Sequence, residues 1–361
     1  MFLTIIAFII VLGILILAHE SGHFIIAKLS GVKVLEFAIG FPPRIFSFKR
    51  HETKYTIGLL PLGGYVQMLG EEKVSKDPRS FNRQKPLSRL AISIAGVLMN
   101  LILAWLILTI GFSIGMTPLA SSPDQIPGTR LSEKIYIAEV SKDSPAEKSG
   151  LYSGDTIISG ETSAGKTVFK SAQSVTDFTA ENSGKEVTFE IGRDNQVLSK
   201  KVTLGTESGA QSGIAMVDQV VIRVPWYKAP VVAFQETYRM FGFMFDFLRQ
   251  FFGKLFFAGQ ISDSVGGPVA IFDMSGAAAR AGAMIFFQFI AMLSVNLAII
   301  NILPFPALDG GRALFILLEK IFGKRIVKEE IENIIHTVGF ALLILLILAI
   351  TYKDILRLIH R

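Results

Sequence analysis

Apolar and polar positions in this chain segregate by whole segments. One nearly unbroken apolar run covers residues 2–27, others cover 91–114 and 283–303, and a last one, 337–350, precedes a short tail. About 20 apolar residues in a helix span a hydrocarbon core of about 30 Å, so the pattern predicts about four transmembrane helices. Between the first two runs, tracts 35–48 and 54–68 read as strands, with Phe41-Pro42-Pro43 and Leu62-Gly63-Gly64-Tyr65 as breaks. They predict β-hairpins lying against the inner membrane face. Segment 116–226 is polar and rich in Ser and Gly, as a soluble domain would be. Segment 227–258 is rich in Phe but interrupted by Glu236, Arg239, Asp246, Arg249 and Lys254, which predicts an amphipathic helix in the interface. Ser264-Val265-Gly266-Gly267-Pro268 predicts a turn.

The expected fold is therefore an α-helical membrane protein with a membrane-associated β-hairpin region and one inserted soluble domain. Its expected parts are 1–29 (first helix), 30–90 (β region), 91–115 (second helix) and 116–226 (soluble domain). Then follow 227–262 (interfacial helix), 263–312 (third helix with its break) and 313–361 (a cytoplasmic linker and the fourth helix). Lys and Arg outnumber Asp and Glu in segment 30–89, which places that segment in the cytoplasm. The first run lacks a basic leader and a small-residue cleavage pattern, so it reads as a retained membrane helix.

Composition narrows the chemistry. Of 361 residues 50% are apolar, and the mean hydropathy is +0.49, too high for an ordinary soluble enzyme. The net charge of +6 gathers near membrane segments, which topology explains without a nucleic-acid partner. There is no cysteine, so disulfides and thiolate ligands are excluded and any metal must sit on His, Asp or Glu.

The polar stretch His19-Glu20-Ser21-Gly22-His23 lies inside the first apolar run. Four residues turn a helix by roughly 400°, so both imidazoles project from one face, one turn apart. That spacing suits one Zn²⁺, with Glu20 beside it to take a proton from a metal-bound water. The bare pattern is weak evidence, but lipid surroundings make two imidazoles and a carboxylate too costly to carry without a partner or a task. A polar cluster that only bonds neighbouring helices is the bland alternative. After the third run comes Asn301-Ile302-Leu303-Pro304-Phe305-Pro306-Ala307-Leu308-Asp309-Gly310-Gly311-Arg312. Pro304 and Pro306 break the helix at membrane depth, which is tolerated only in protein or beside a wet cavity. Asp309 either caps a helix starting near Arg312 or supplies a third ligand, and the broken helix favours the ligand. If segment 30–89 is cytoplasmic, the first helix runs inward, the second outward and the third inward. Asp309 then reaches the same leaflet as His19 and His23.

Within 116–226, the strand Tyr136-Ile137-Ala138-Glu139-Val140, then Ser144-Pro145-Ala146, then Gly150-Leu151-Tyr152-Ser153-Gly154-Asp155, resembles a PDZ domain of the bacterial protease type. A strand pair, 187–191 and 200–204 with a turn near Asp194-Asn195, suits the same small sandwich. Together with Pro61-Leu62-Gly63-Gly64-Tyr65-Val66, Gly266-Gly267-Pro268 and the Asn301–Gly310 block, the chain resembles the site-2 protease family of intramembrane metalloproteases. Within that family it is most similar to the bacterial regulator-of-sigma-E protease group. The resemblance implies zinc on His19, His23 and Asp309, Glu20 as base, and cleavage of membrane proteins that have a single transmembrane segment. It implies that Gly63, Gly64 and Tyr65 hold the unwound substrate as a strand and that Asn301 handles substrate or supports the oxyanion, with Pro304 and Pro306 in the same substrate-handling block. It also implies a bacterial cytoplasmic (inner) membrane location, with the PDZ domain outside the cytoplasm binding a peptide or the substrate's ectodomain.

An anti-sigma factor, remnant signal peptides and a small membrane peptide all suit such an enzyme. The chief alternative is a catalytically inactive membrane PDZ adaptor, against which the intact Glu20 speaks. A zinc or proton transporter would spread polar residues along several helices, whereas here they gather at one depth. His51, His336 and His360 read as solvated or interfacial, and Glu319 and Lys320 as a solvated helix face.

Overall fold

In a computed structural model, residues 1–71, 75–193, 196–206, 212–258, 266–323, 327 and 329–359 are described. The chain forms two compact units, Met1–Gly111 with Tyr227–Arg361, and Phe112–Trp226. In chain order the elements are α1 (Phe2–Leu29), β1 (Val34–Arg50), β2 (Thr53–Met68), α2 (Pro86–Ile114), β3 (Thr129–Val140), α3 (Pro145–Lys148), β4 (Thr156–Thr162), β5 (Gly165–Val168) and α4 (Ala172–Glu181). They continue with β6 (Glu186–Arg193), β7 (Gln196–Thr203), β8 (Ile214–Arg223), α5 (Ala229–Ala258), α6 (Pro268–Ala281), α7 (Ala283–Ile302), α8 (Asp309–Phe322) and α9 (Glu329–Ile359). Four helices among the described residues are long and apolar enough to cross a membrane: α1, α2, α7 and, within α9, Ile334–Leu356.

Lipid tails are as apolar as leucine, so close backbone packing rather than water exclusion holds membrane helices together. Glycines permit that packing at two contacts. A Cβ at Gly22 in α1 would run into the Ala95 carbonyl of α2, and one at Gly276 in α6 would run into the Thr4 side chain. Around these contacts Val11, Leu15, Ala278, Phe289 and Ile290 form a buried cluster.

The β region departs from its predicted form. Phe41-Pro42-Pro43 and Gly63-Gly64-Tyr65 do not end strands; they lie inside β1 and β2, where the register shifts and the chain bends. Bending folds one hairpin back on itself. Glu36, Phe37, Ala38 and Ile39 pair with Gln67, Val66, Tyr65 and Gly64 on one side, and with Lys54, Tyr55, Thr56 and Ile57 on the other. The 64–67 limb is thus an edge whose outer side has no strand partner among the described residues.

Four other expectations need correction. Helix two starts at Pro86 and the last helix at Glu329, both earlier than the apolar runs, because polar residues extend a helix once its first turn has formed. Gly266-Gly267-Pro268 opens α6, which the run pattern missed: Gly267 is the N-cap and Pro268 takes the first turn, where its missing N–H costs nothing. The buried Asp354 carboxylate of α9 receives the Gly267 and Ala270 amides at 2.8 and 3.2 Å, so the cap comes from a distant helix. Ser264 and Val265, like the turn at Asp194-Asn195, lie outside the described residues. Glu319 is not a solvated face, since its Oε1 receives the buried Arg89 guanidinium at 2.5 Å.

The second unit is a sheet in the order β7-β6-β4-β3-β8, with β5 paired to β4. Its inward residues, among them Ile137, Leu151, Ile157, Phe178, Phe189 and Ile191, pack α4 and the loops onto one face. α4 begins with a capping box, the Ser171 hydroxyl accepting from Ser174 N.

Candidate metal and catalytic site

In α1, His19 and His23 turn their Nε2 atoms to within 3.2 Å of each other. The two helices approach at this level because α2 has Gly96 there, where a Cβ would overlap both imidazoles. The His23 ring is fixed by its Nδ1, 2.8 Å from the Ile92 carbonyl. The His19 ring is fixed by its Nδ1, 3.2 Å from Asn100 Nδ2. Ile92, Gly96 and Asn100 recur every fourth residue, so one face of α2 forms the wall behind both rings.

Asp309 comes from the other end of the fold. After α7 ends at Ile302, Pro304 and Pro306 deny the chain helical hydrogen bonds, and Ala307 takes a left-handed φ of 76°. The turn is held by His336 of α9, whose Nδ1 accepts the Ala307 N–H at 2.9 Å. His336 therefore supports this break and is not merely interfacial. α8 follows, with Leu308 as its N-cap and Asp309 as its first residue. Asp309 is consequently not a cap; no side-chain capping bond exists there. Gly310 and Gly311 are needed because a Cβ on either would collide with the carbonyls of Ile302 and Phe305.

This path brings Asp309 Oδ2 to 3.1 Å from His19 Nε2 and 3.3 Å from His23 Nε2. Ligands about 2.05 Å from a tetrahedral zinc stand about 3.3 Å apart, so the triangle has the edges such an ion requires. Asp309 Oδ2 is buried and, among the described residues, has no partner beyond the two imidazoles it faces. The three side chains could hold one metal ion.

The chain's other predicted site residues surround this triangle unequally. Gly64 lies against Glu20: a Cβ there would stand 2.9 Å from Glu20 Cγ and 2.7 Å from Ile16 Cγ2. Gly63 lies under the Phe41 ring, 2.5 Å from where its Cβ would be, and Tyr65 follows along the same edge limb. Asn301 occupies the last turn of α7, and Pro304 and Pro306 form the break itself, Pro306 packing on Gly339 of α9. Arg312, one turn after Asp309, pairs with Glu71 in the turn leaving β2 and lies 5.8 Å over the Phe81 ring. Asn100 and Glu71 were not singled out from the sequence. An amide inside an apolar run carries the same cost argument as the histidines and would have pointed to Asn100. Glu71, in a charged segment, gives no such signal.

The model of peptidase family M50 matches residues 7–346. The chain belongs to this family. Curated relatives match along nearly the whole chain. Zinc metalloprotease relatives from Clostridium acetobutylicum and Clostridium perfringens are 36% and 40% identical, covering 98% and 95% of both chains. The regulator of sigma-W protease RasP of Bacillus subtilis is 32% identical over 98% of this chain and 99% of its own. Among solved structures, the PDZ domain of an SdrC-like protein from Listeria monocytogenes is similar at 23% identity, over 23% of this chain and 86% of that domain, with a TM-score of 0.20. As an M50 member with four spanning-type helices, the chain is a membrane zinc metalloendopeptidase, and zinc is its cofactor.

Proposed function

We propose that this peptidase hydrolyses peptide bonds within or beside the transmembrane segment of single-span membrane proteins, using His19, His23 and Asp309 to hold zinc and Glu20 as general base. The observation that carries the reading is the triangle of Nε2, Nε2 and Oδ2 atoms with edges of 3.1 to 3.3 Å. When bound, zinc supplies a Lewis acid for the scissile carbonyl and makes water acidic enough to be deprotonated near neutral pH. Glu20 takes the proton from the attacking water and returns it to the leaving amine.

A substrate helix presents no free carbonyl, because its backbone bonds are satisfied internally. The substrate must therefore be unwound, and the edge at Gly63, Gly64 and Tyr65, whose outer side has no strand partner among the described residues, supports its addition there as a strand, beside Glu20. Asn301, with the Pro304 and Pro306 turn that leads to Asp309, is assigned the handling of the opened backbone. Unit Phe112–Trp226 is read as a PDZ domain from its own strand order and from the edge strand β8 beside α4, taking a peptide or the substrate's ectodomain. The site is assigned to the cytoplasmic side of a bacterial inner membrane and this unit to the other side. The name of the Bacillus subtilis relative supports a regulatory membrane protein as substrate.

The test uses purified full-length protein in lipid with a panel of single-span substrates. Glu20→Gln should abolish cleavage while zinc stays bound, and Asp309→Asn should lower the bound zinc. Cleavage by Glu20→Gln at the wild-type rate defeats the role of Glu20 as base. A single cysteine at Lys54 should be labelled only from the cytoplasmic side; labelling from outside reverses the orientation.

A further inference from the structure

The two imidazoles of the site are not held alike. A histidine that binds metal through Nε2 must carry its proton on Nδ1, and that proton needs an acceptor. His23 meets this condition, because its Nδ1 faces the Ile92 carbonyl at 2.8 Å. His19 does not: its Nδ1 faces the Asn100 amide nitrogen at 3.2 Å, a donor. In that arrangement His19 keeps its proton on Nε2, where it is 3.1 Å from Asp309 Oδ2. Asn100 meanwhile is 0% exposed, and its side-chain carbonyl oxygen has no hydrogen-bond partner among the described residues. An amide carries donor and acceptor on one planar group, and half a turn about its terminal bond exchanges them.

We propose that Asn100 is the positioning partner of His19, its side-chain carbonyl accepting the Nδ1–H that His19 carries when Nε2 binds zinc. This rests on the metal-site reading above. Loading the site would then place the proton of His19 on Nδ1 instead of Nε2, leaving the imidazole itself neutral, and turn the Asn100 amide from donor to acceptor. The residue is well placed to act as a fixed point. It lies one turn beyond Gly96 in α2, and its backbone carbonyl accepts the Ser294 hydroxyl of α7 at 2.8 Å. Asn100 thus links α7, through its backbone, to the outer nitrogen of His19, through its side chain.

The experiment measures zinc affinity, by competition with a chelator, of full-length wild type, Asn100→Leu, Asn100→Asp and His19→Ala in detergent. Asn100→Leu keeps the branched shape but has no acceptor, and its affinity should fall about 10- to 100-fold. Asn100→Asp keeps an acceptor and should bind within a few-fold of wild type. A role in packing alone would not separate the two variants in this way. Wild-type affinity in Asn100→Leu overturns the proposal, as does equal loss in both variants while their thermal unfolding matches wild type. If either variant fails to fold, Asn100→Ser, smaller and able to accept through a hydroxyl, takes its place against Asn100→Ala: higher zinc affinity in the Ser variant supports the proposal, and equal affinity overturns it. Unchanged zinc binding in His19→Ala instead sinks the metal-site reading, whatever Asn100 does.

Discussion

Gly64 of β2 rests directly on Glu20 of α1, with 2.9 Å between Glu20 Cγ and the place a Cβ would take. The same Cβ would be 2.8 Å from the Ala38 carbonyl, so neither helix nor strand leaves room for it. Gly64→Ala should lift the edge limb away from the Glu20 carboxylate, the general base proposed above. A displacement of about 1 Å costs about 100-fold in rate. The check is kcat/KM on a single-span substrate together with zinc content, which should not change.

Arg312 and Glu71 join the helix that carries Asp309 to the turn leaving β2. Glu71 Oε2 also accepts the Met68 amide at 3.1 Å, so it fixes the end of the edge limb. Glu71→Gln is expected to raise KM for membrane substrates more than it lowers bound zinc. Steady-state kinetics and metal analysis on the same preparation separate the two.

Arg89 is 4% exposed and has Glu319 as its ion-pair partner. Removing one member of a buried pair leaves an uncompensated charge, at a cost of about 3–5 kcal/mol. Glu319→Leu should lower the unfolding temperature sharply in detergent. Adding Arg89→Leu should restore most of the loss, because an apolar pair needs no compensation.

Asp155 in the second unit is buried, which by itself would raise its pKa. Hydrogen bonds from Arg193 at 2.6 Å and from the Tyr152 amide at 2.9 Å, together with the charges of Arg193 and Lys200, outweigh burial and hold it below the usual carboxylate value. A lowered folded-state pKa gives stability that is fully present above the unfolded value of about 3.9 and is lost as pH falls through the folded one. The protection of residues 112–226 against hydrogen exchange in the full chain, taken relative to the intrinsic rate at each pH, should thus hold down to about pH 4 and fall below it. Asp155→Asn should flatten that acid dependence and weaken the unit at neutral pH, where Arg193 loses its counter-charge.

Local pattern was enough for some of this. The spanning helices are legible because lipid admits only long apolar runs, and His19 and His23 share a face because a helix repeats every 3.6 residues. The prolines at 304 and 306 announce a break because they lack the N–H a helix needs. Those properties belong to a few consecutive residues, so the sequence settled them without help from the rest of the fold. Whether Asp309 caps a helix or faces two imidazoles depended on where the chain goes after the break, which His336, Gly310 and Gly311 decide through contacts with other segments. The double-backed hairpin, the capping of α6 by Asp354 and the pairing of Arg89 with Glu319 likewise join residues far apart in the chain. Only the packed tertiary structure decides such pairs, because the energy of a contact lies in distance, and sequence order does not record distance between remote segments.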